Sequence, residues 1–360
     1  MKRKTAAKAT TATDKSSGNE IFAAIAAKIV QDISQGVMPW AMPWKQGMPM
    51  TLPLRGDSGT PYRGVNILIL WAQAHDKGYK DPRWYSFQGG SNAALKEDPH
   101  AERKGVRKGE KGTKVLFAKP FVLCTKAGQE PKYYSNLKDP RVVQLQTLGW
   151  DCEVRVTWKW HYVWNAEQFH GISPLPAPAA PADSGDVVAD VAAHASLNDL
   201  LQQCSSELQG GLHHRGSKAY YRPSSDEVVL PPVKDFKSAT GYWGTVLHEL
   251  SHASGHASRL NRDDVVKPAK FGCEQYAREE LVAEFGSAFV AAAMGLPYET
   301  QHAAYLQEWA KQIPAKGEAE KSAVLKEAIS AAQKAADCVL NGLKVKTWEK
   351  PADDGEDDAE

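Results

Sequence analysis

Apolar residues recur at every fourth position near the start of the chain and predict a first helix. Its apolar face consists of isoleucines at positions 21, 25, 29 and 33. Asn19 is suited to cap the start of this helix, and Gly36 is suited to end it. A further apolar run over residues 62–71 predicts the beginning of a second helix, in which we expect Trp71 to be buried.

Alternating apolar and polar positions follow and predict strands. The alternation covers residues 152–158 and 162–165. The stretch 106–117 combines a basic, glycine-containing turn with the start of another strand. Helices and strands together make residues 19–170 an α+β domain.

The second half of the chain is mainly helical in pattern. Residues 276–289 carry apolar side chains at 281, 282, 285 and 289, which is the spacing of a buried helix face. Two short strands are predicted at 219–223 and 227–231, on either side of the turn 223–226. We therefore expect residues 193–346 to form a mainly helical domain with a small β-sheet.

Composition predicts where two folding units meet. Residues 171–192 include a run of prolines and alanines, which is typical of an extended, semi-rigid linker. Residues 1–18 are basic and of low complexity, residues 347–360 are strongly acidic, and both segments are predicted to be disordered. The length of 360 residues allows two domains, each with its own core, in an α+β protein.

The net charge of +1 conceals a separation of charge between the halves. Residues 1–165 contain 26 Lys and Arg against 14 Asp and Glu, a balance of +12, whereas residues 166–360 contain 18 against 29, a balance of −11. This asymmetry predicts a basic half that binds a polyanion and an acidic half that does not.

Cysteine usage and hydropathy indicate the compartment. The five cysteines, at 124, 152, 204, 273 and 338, are odd in number and include no C-x-x-C pair. This favours reduced thiols over a disulfide framework. The N-terminus has no apolar segment of the kind found in signal peptides, and no apolar run is long enough to span a bilayer. We expect a soluble, cytoplasmic protein with no membrane partner.

The strongest chemical signal is His248-Glu249-Leu250-Ser251-His252, an H-E-x-x-H motif. On a helix, residues four apart lie on one face, so His248 and His252 can bind one metal ion. Glu249 is placed to reach a water on that ion without being a ligand, which makes it the candidate catalytic acid and base.

A third ligand is predicted on the next helix. Glu280 and Glu284 are four residues apart and share a face, so we expect Glu280 to bind the metal and Glu284 to accept a hydrogen bond from a ligand histidine. Glu279 is expected to be a solvated acidic residue. His256 is a candidate alternative metal ligand or hydrogen-bonding group in the cleft, although a role in the turn after the helix is favoured. Ser258 stands where the metzincin pattern requires a third histidine.

Two histidines, one glutamate and a position left for water are the donor set of a catalytic zinc site. We therefore predict one Zn²⁺ per chain, with other divalent metals possible. Zinc lowers the pKa of its water, and Glu249 can take the proton for attack on a carbonyl. An edge strand beside this helix is where an extended peptide would pair in a peptidase.

Tryptophans interleaved with basic residues suggest that the polyanion is single-stranded DNA. Eight of the eleven tryptophans fall in the basic half, and single-stranded nucleic acid is bound by aromatic rings that stack on bases and by cations that follow the phosphates. Most of these tryptophans could equally be core residues. The candidate DNA-binding residues are Arg63, Asn66, Trp84, Gln88, Arg107, Lys108, Lys111 and Lys114.

The chain resembles the ArdC-type antirestriction proteins. The matching segments are Pro39-Trp40 with Pro43-Trp44, residues 62–66, 107–112, 163–168, 248–252 with Gly255-His256 and Arg259-Leu260, and 279–284. The resemblance implies a single-stranded-DNA-binding domain followed by a zincin-like metallopeptidase domain, in a plasmid-borne or mobile-element protein that protects DNA from restriction during conjugation. It also implies His248, His252 and Glu280 as metal ligands and Glu249 as the acid and base. Ala253 and Ser254 depart from the tryptophan and threonine expected there.

Two other interpretations remain open at this stage. One is a cytosolic zinc metallopeptidase whose basic domain recognises a protein substrate, such as a component of a restriction system. The other is a fragment of a plasmid primase, which the absence of an acidic catalytic cluster of the Toprim type disfavours.

Overall fold

The computed structural model describes residues 18–36, 51–97, 99–100, 104–175, 184–267, 273–298, 306–307, 310 and 318–345. The predictions made for residues 1–17, for Trp40 and Trp44, for most of the Pro/Ala run and for the acidic tail lie outside these residues.

The described residues of the first half form four helices. They are α1 (Gly18–Ser34), α2 (Val65–Lys77), α3 (Phe87–Glu97) and α4 (Pro140–Thr147). The first two confirm the predicted helices. Ile29 and Ile33 are buried on α1, and Gly36 follows it with a positive φ of 78°, a conformation that glycine adopts without strain. Trp71 is buried on α2, as its apolar surroundings predicted.

The strands of the first half form a five-stranded sheet in the order β1-β2-β6-β4-β5. Their bounds are β1 (Leu54–Arg55), β2 (Arg83–Tyr85), β4 (Thr113–Thr125), β5 (Lys132–Tyr134) and β6 (Asp151–Asn165), and a separate pair consists of β3 (Gly105–Val106) and β7 (Phe169–His170). The two predicted alternating segments are parts of the single long strand β6. Strands β4 and β6 form a long antiparallel ribbon, in register from Thr113 opposite Val163 to Thr125 opposite Asp151.

The second half contains six helices and a three-stranded sheet within the described residues. The helices are α5 (Val187–Ala193), α6 (Ala195–Ser206), α7 (Ala239–Ala253), α8 (Asp263–Val266), α9 (Glu274–Ala293) and α10 (Glu318–Leu340). The sheet has the order β8-β10-β9, with β8 (Gly211–His214), β9 (Tyr220–Arg222) and β10 (Glu227–Leu230). Strands β9 and β10 are antiparallel, as the turn between them predicted, and β9 lies at the edge of the sheet.

The two halves share one hydrophobic core, although the sequence suggested a core for each. Helices α1 and α2 pack against α10, and the rings of Trp71 and Phe289 lie 6.1 Å apart between α2 and α9. Arg63 forms an ion pair with Asp337, and the Gly64 amide donates a hydrogen bond of 2.7 Å to Gln333. The second half of the chain therefore covers part of the apolar faces of α1 and α2, and α2 also packs against a strand of the first half, β4.

The prediction that all cysteines are reduced is wrong for one pair. Cys124 and Cys152 stand directly opposite each other on β4 and β6, and the structure joins them as a disulfide. Their separation of 28 residues gave no signal of this, because only the strand register brings them together. The other three cysteines are free thiols. Among the described residues, no helix has the length and apolar character needed to cross a membrane.

Candidate functional site

Helix α7 carries the H-E-x-x-H motif and is largely buried in the core of the second half of the chain. Ser238 caps its first turn by accepting a hydrogen bond of 3.0 Å from the Gly241 amide. Helix α9 packs alongside it, and a small residue permits a close approach: a Cβ added at Gly286 would lie 3.1 Å from the Ser251 hydroxyl. This packing brings the acidic segment of α9 next to the two histidines.

The three predicted ligands converge, as a shared metal ion requires. His248 Nε2 lies 3.1 Å from His252 Nε2 and 3.4 Å from Glu280 Oε2, and His252 Nε2 lies 3.7 Å from Glu280 Oε1. Tetrahedral zinc with bonds of about 2.05 Å holds its donor atoms roughly 3.4 Å apart. The spacing of the three side chains therefore fits a zinc-sized divalent ion.

Glu284 stands behind His248 on the side away from His252. Its Oε1 lies 3.6 Å from His248 Nδ1, and its Oε2 accepts a hydrogen bond of 2.8 Å from the Tyr298 hydroxyl. Ser287 donates to the same tyrosine oxygen at 2.7 Å. This buried network holds the carboxylate beside His248, as predicted, although the 3.6 Å contact is longer than the hydrogen bond that the sequence led us to expect.

Glu279 stands behind His252, and the prediction of a solvated acidic residue is wrong. Its side chain is buried, and its Oε1 lies 3.1 Å from His252 Nδ1. Arg262 holds it with two hydrogen bonds and also donates to the Ser254 hydroxyl and to the Ser251 carbonyl. A carboxylate at Nδ1 leaves Nε2 of the same ring available to a metal.

The electrostatics of the site follow from burial and from these carboxylates. Burial raises the pKa of Glu249, and the charges of His248 and His252 only partly oppose that rise. Burial alone would lower the pKa of His252, but the hydrogen bond to Glu279 and the charges of Glu280, Glu279 and Glu249 raise it to about 9. A metal ion must therefore displace a proton from His252 in order to bind.

Edge strand β9 lies against the motif helix. The backbone N–H of Tyr221 donates a hydrogen bond to the Glu249 carboxylate. A buried ion pair between Arg259 and Asp226, with Arg259 Nη1 3.1 Å from Asp226 Oδ2, joins the turn after α7 to the turn before β10. The sequence did not predict this ion pair. It offered only Arg259, as part of a segment that matches the ArdC-type proteins.

His256 and two tyrosines near the motif take other positions. His256 Nδ1 lies 2.7 Å from the Ser258 hydroxyl, which places it in the turn after the helix. Tyr242 stacks on His214, with its hydroxyl 3.0 Å from His214 Nε2, and burial raises its pKa to about 12. Tyr276 lies in the first turn of α9 and is partly buried.

Three of the residues predicted to contact DNA make contacts within the fold. Trp84 is only 2 % exposed and packs edge-on against Tyr79. The Asn66 side chain exchanges two hydrogen bonds with the backbone of Leu116, and Arg63 pairs with Asp337. These positions favour structural roles for the three side chains.

The other five candidates lie on or near the surface. Gln88, Arg107, Lys108 and Lys111 are exposed, and Lys114 is half-buried with its Nζ 5.8 Å from the centre of the Tyr162 ring. Arg107, Lys108 and Lys111 belong to the predicted basic glycine turn, which precedes β4. The structure thus places most of the predicted phosphate contacts in one neighbourhood.

An H-E-x-x-H helix with a carboxylate from α9 as the third candidate ligand is typical of a zincin-like metallopeptidase domain, and comparison with known families agrees. Residues 199–329 match the family described as a zincin-like metallopeptidase. Residues 19–143 match the family described as the N-terminal domain of anti-restriction factor ArdC. The chain belongs to the ArdC-type antirestriction family, which combines these two domains.

Relatives with known sequences support the same assignment. The chain is 30 % identical over 269 residues to the uncharacterized protein y4eC of Sinorhizobium fredii, covering 74 % of this chain and 75 % of that protein. It is also 33 % identical over 294 residues to the DNA primase TraC of Escherichia coli, covering 80 % of this chain. The match spans only 24 % of the length of that primase.

Solved structures of an ArdC antirestriction protein from the R388 plasmid have the same fold. The metal-free crystal structure is 28 % identical, with a TM-score of 0.63, and the match covers 90 % of this chain and 98 % of that one. The Mn(II)-bound crystal structure is 26 % identical, with a TM-score of 0.60 and the same coverage. The agreement extends over both domains.

Proposed function

We propose that this chain is an antirestriction protein whose first half binds single-stranded DNA and whose second half is a divalent-metal peptidase. The observation that carries the peptidase part is the convergence of His248, His252 and Glu280, with Glu249 beside them and a carboxylate behind each histidine. The single-strand part rests on the +12 charge balance of residues 1–165 and on the match to the ArdC N-terminal domain.

His248, His252 and Glu280 would hold the metal, and zinc is the first candidate because two histidines and a carboxylate are its usual catalytic donor set. A manganese ion is present in the solved relative, so other divalent metals remain candidates. When bound, such an ion polarises a carbonyl and makes a water molecule more acidic. Glu279 would fix the ring orientation of His252 through Nδ1, and the Glu284 carboxylate, 3.6 Å from His248 Nδ1, would act on that ring through its charge.

Glu249 is the proton carrier in this proposal. It is buried, and burial raises its pKa, so it can exchange a proton closer to neutral pH than an exposed glutamate does. It would accept a proton from the attacking water and deliver it to the departing amine of the cleaved peptide bond.

Edge strand β9 supports a polypeptide as the substrate class. It is at the edge of its sheet, and the Tyr221 N–H points to Glu249. An extended peptide pairing with β9 would run past the proton carrier, as peptides do when they add a strand to an open sheet edge. The substrate would be a protein met at the restriction step.

The decisive experiment compares wild type with Glu249→Gln in two assays. Conjugative transfer of an unmodified plasmid into a restricting recipient measures protection, and anisotropy of labelled oligo-dT measures DNA binding. We expect both proteins to bind oligo-dT and Glu249→Gln to retain at least part of the protection. A wild type that does not bind oligo-dT at low salt would refute the DNA-binding part.

The second candidate function, a peptidase whose basic half recognises protein, predicts a different pattern. Under that function, Glu249→Gln would abolish protection completely, and affinity for oligo-dT would be weak in both proteins. The same two assays therefore separate the candidates.

A further inference from the structure

Three aromatic side chains outside the metal site form an exposed cluster on the first half of the chain. Phe87 is 56 % exposed, Tyr162 is 50 % exposed, and Trp164 lies half-buried between them. The ring centroids of Phe87 and Trp164 are 5.7 Å apart, and those of Tyr162 and Trp164 are 6.4 Å apart. We call this cluster the aromatic platform.

The fold explains why these rings meet. Tyr162 and Trp164 are two residues apart on β6, so their side chains leave the same face of the ribbon. Strand β2 pairs with β6 and places Tyr85 opposite Trp164, and Phe87 follows two residues later as the first residue of α3. The platform is therefore built on regular elements.

A basic loop borders the platform. A Cβ added at Gly112 would lie 2.8 Å from the ring of Trp164, so the backbone of this loop lies directly against the indole. The exposed Arg107, Lys108 and Lys111 precede Gly112 in the same loop. The acidic member of the loop, Glu110, accepts a hydrogen bond of 2.9 Å from Gln168, which directs its carboxylate to the protein.

A further cation lies over one ring. Lys114 stands opposite Tyr162 in the β4–β6 register, and its Nζ is 5.8 Å from the centre of that ring. This distance is within the range of a cation–π contact, which holds the lysine next to the platform. Positive charge thus adjoins two of the three rings.

We propose that the aromatic platform is the surface on which unpaired bases stack when the chain binds single-stranded DNA, with Arg107, Lys108, Lys111 and Lys114 following the phosphates. The proposal rests on the proposed single-strand binding and specifies where it occurs. Large exposed aromatic rings with adjacent cations suit a ligand that offers flat π-faces and negative charge together. Double-stranded DNA keeps its base faces stacked internally and offers only the charge.

The residues of the aromatic platform take the stacking role that the sequence suggested for Trp84. Trp84 is buried, whereas Phe87 lies three residues later and is exposed. The sequence pattern does not mark Tyr162 as a binding residue, because a tyrosine in an alternating strand is usually a packing residue. In the part of the chain that the structure describes, no element covers Tyr162, which is 50 % exposed, and a sequence pattern does not reveal such an arrangement.

The test uses the full chain and fluorescein-labelled oligo-dT in an anisotropy titration at low salt. Phe87→Ala and Tyr162→Ala should each weaken binding roughly 5- to 150-fold, the range expected for the loss of one stacked base. Tyr133→Ala is the matched control, since Tyr133 is 67 % exposed and lies on β5 at the opposite end of the ribbon. Its affinity should equal that of wild type.

Two further measurements separate stacking from a structural effect. Tyr162→Phe keeps the ring and should bind like wild type. Wild type should prefer oligo-dT to an abasic oligonucleotide of equal length, whereas Phe87→Ala and Tyr162→Ala should bind the two with more similar affinities. Circular dichroism and thermal melting should be unchanged in all variants, because each altered side chain is at least half exposed.

The outcomes distinguish the platform from the proposed function. If wild type binds oligo-dT and both alanine variants bind it as tightly as Tyr133→Ala, the proposed role of the platform is refuted and the proposed single-strand binding stands. If wild type does not bind oligo-dT, both are overturned. Equal binding of wild type to oligo-dT and to the abasic oligonucleotide also overturns the platform.

Discussion

Replacement of Glu279 by glutamine tests the role of the carboxylate behind His252. Glutamine preserves the size of the side chain and can still accept one hydrogen bond from His252 Nδ1, but it removes the negative charge. Glu279 Oε1 lies 3.1 Å from Nδ1, so the present contact is a charge-assisted one.

The expected magnitude follows from the partners of Glu279. Loss of a residue that orients a metal-ligating histidine typically lowers metal affinity 10- to 100-fold. Arg262 already neutralises much of the Glu279 charge through two hydrogen bonds. We therefore expect Glu279→Gln to lower metal affinity by an amount near the lower end of this range, about tenfold, or about 1.4 kcal/mol.

Glu279→Ala should have the larger effect. It removes the acceptor altogether and leaves Arg262, whose side chain is 11 % exposed, without its anionic partner. The expected loss of metal affinity is about 100-fold. The variant should also unfold at a lower temperature, because an unpaired buried charge is strongly destabilising.

Competition of each protein with a zinc-binding dye measures these affinities. Glu327→Gln on α10 is the control, because that glutamate is 67 % exposed and should not affect the metal. Zinc affinity of Glu279→Gln equal to that of wild type would refute the proposed role of Glu279. A loss of equal size in Glu327→Gln would show that the effect is not specific to the site.

Two further predictions concern stability. Asp226→Asn should lower the free energy of unfolding by about 3 kcal/mol at neutral pH, because it leaves Arg259 buried without its partner. Burial would raise the pKa of Asp226, but Arg259, the Gln209 amide and the Tyr221 hydroxyl hold it below its usual value of 3.8. The stability that the Asp226 carboxylate contributes is therefore complete above that pH and is lost as the pH falls through its lower folded-state pKa. Urea melts should show the difference in unfolding free energy between wild type and Asp226→Asn becoming smaller below about pH 4. A difference that stays constant with pH would contradict this. Gly90→Ala should destabilise the protein by roughly 1–3 kcal/mol in the same assay, because its Cβ would lie 2.1 Å from the Phe169 ring, and a melt like that of wild type would refute the close contact.

Local patterns predicted the elements that carry the chemistry. The four-residue spacing of His248 and His252, and the similar spacing of Glu280 and Glu284, depend only on helix periodicity, which sequence displays directly. The β9–β10 hairpin was equally accessible, because its turn residues are local signals.

Contacts between distant segments were not predictable in the same way. Glu279 and Glu280 are adjacent in sequence, and only the position of Arg262 decides that Glu279 is buried against His252. The disulfide between Cys124 and Cys152 depends on the register of a long ribbon. The shared core depends on α10 covering α1 and α2, an arrangement that the Pro/Ala segment argued against.

The most direct test of the metal centre is the metal content of the purified full chain, measured by mass spectrometry after equilibration with zinc and gel filtration. Wild type should retain about one zinc per chain, and His252→Ala should retain little, because the remaining pair of donors cannot complete the site. Ser258→Ala, in the turn after the same helix, is the control and should retain as much as wild type. Equal zinc in wild type and His252→Ala, or none in either, would contradict the assignment of His248, His252 and Glu280 as the metal site.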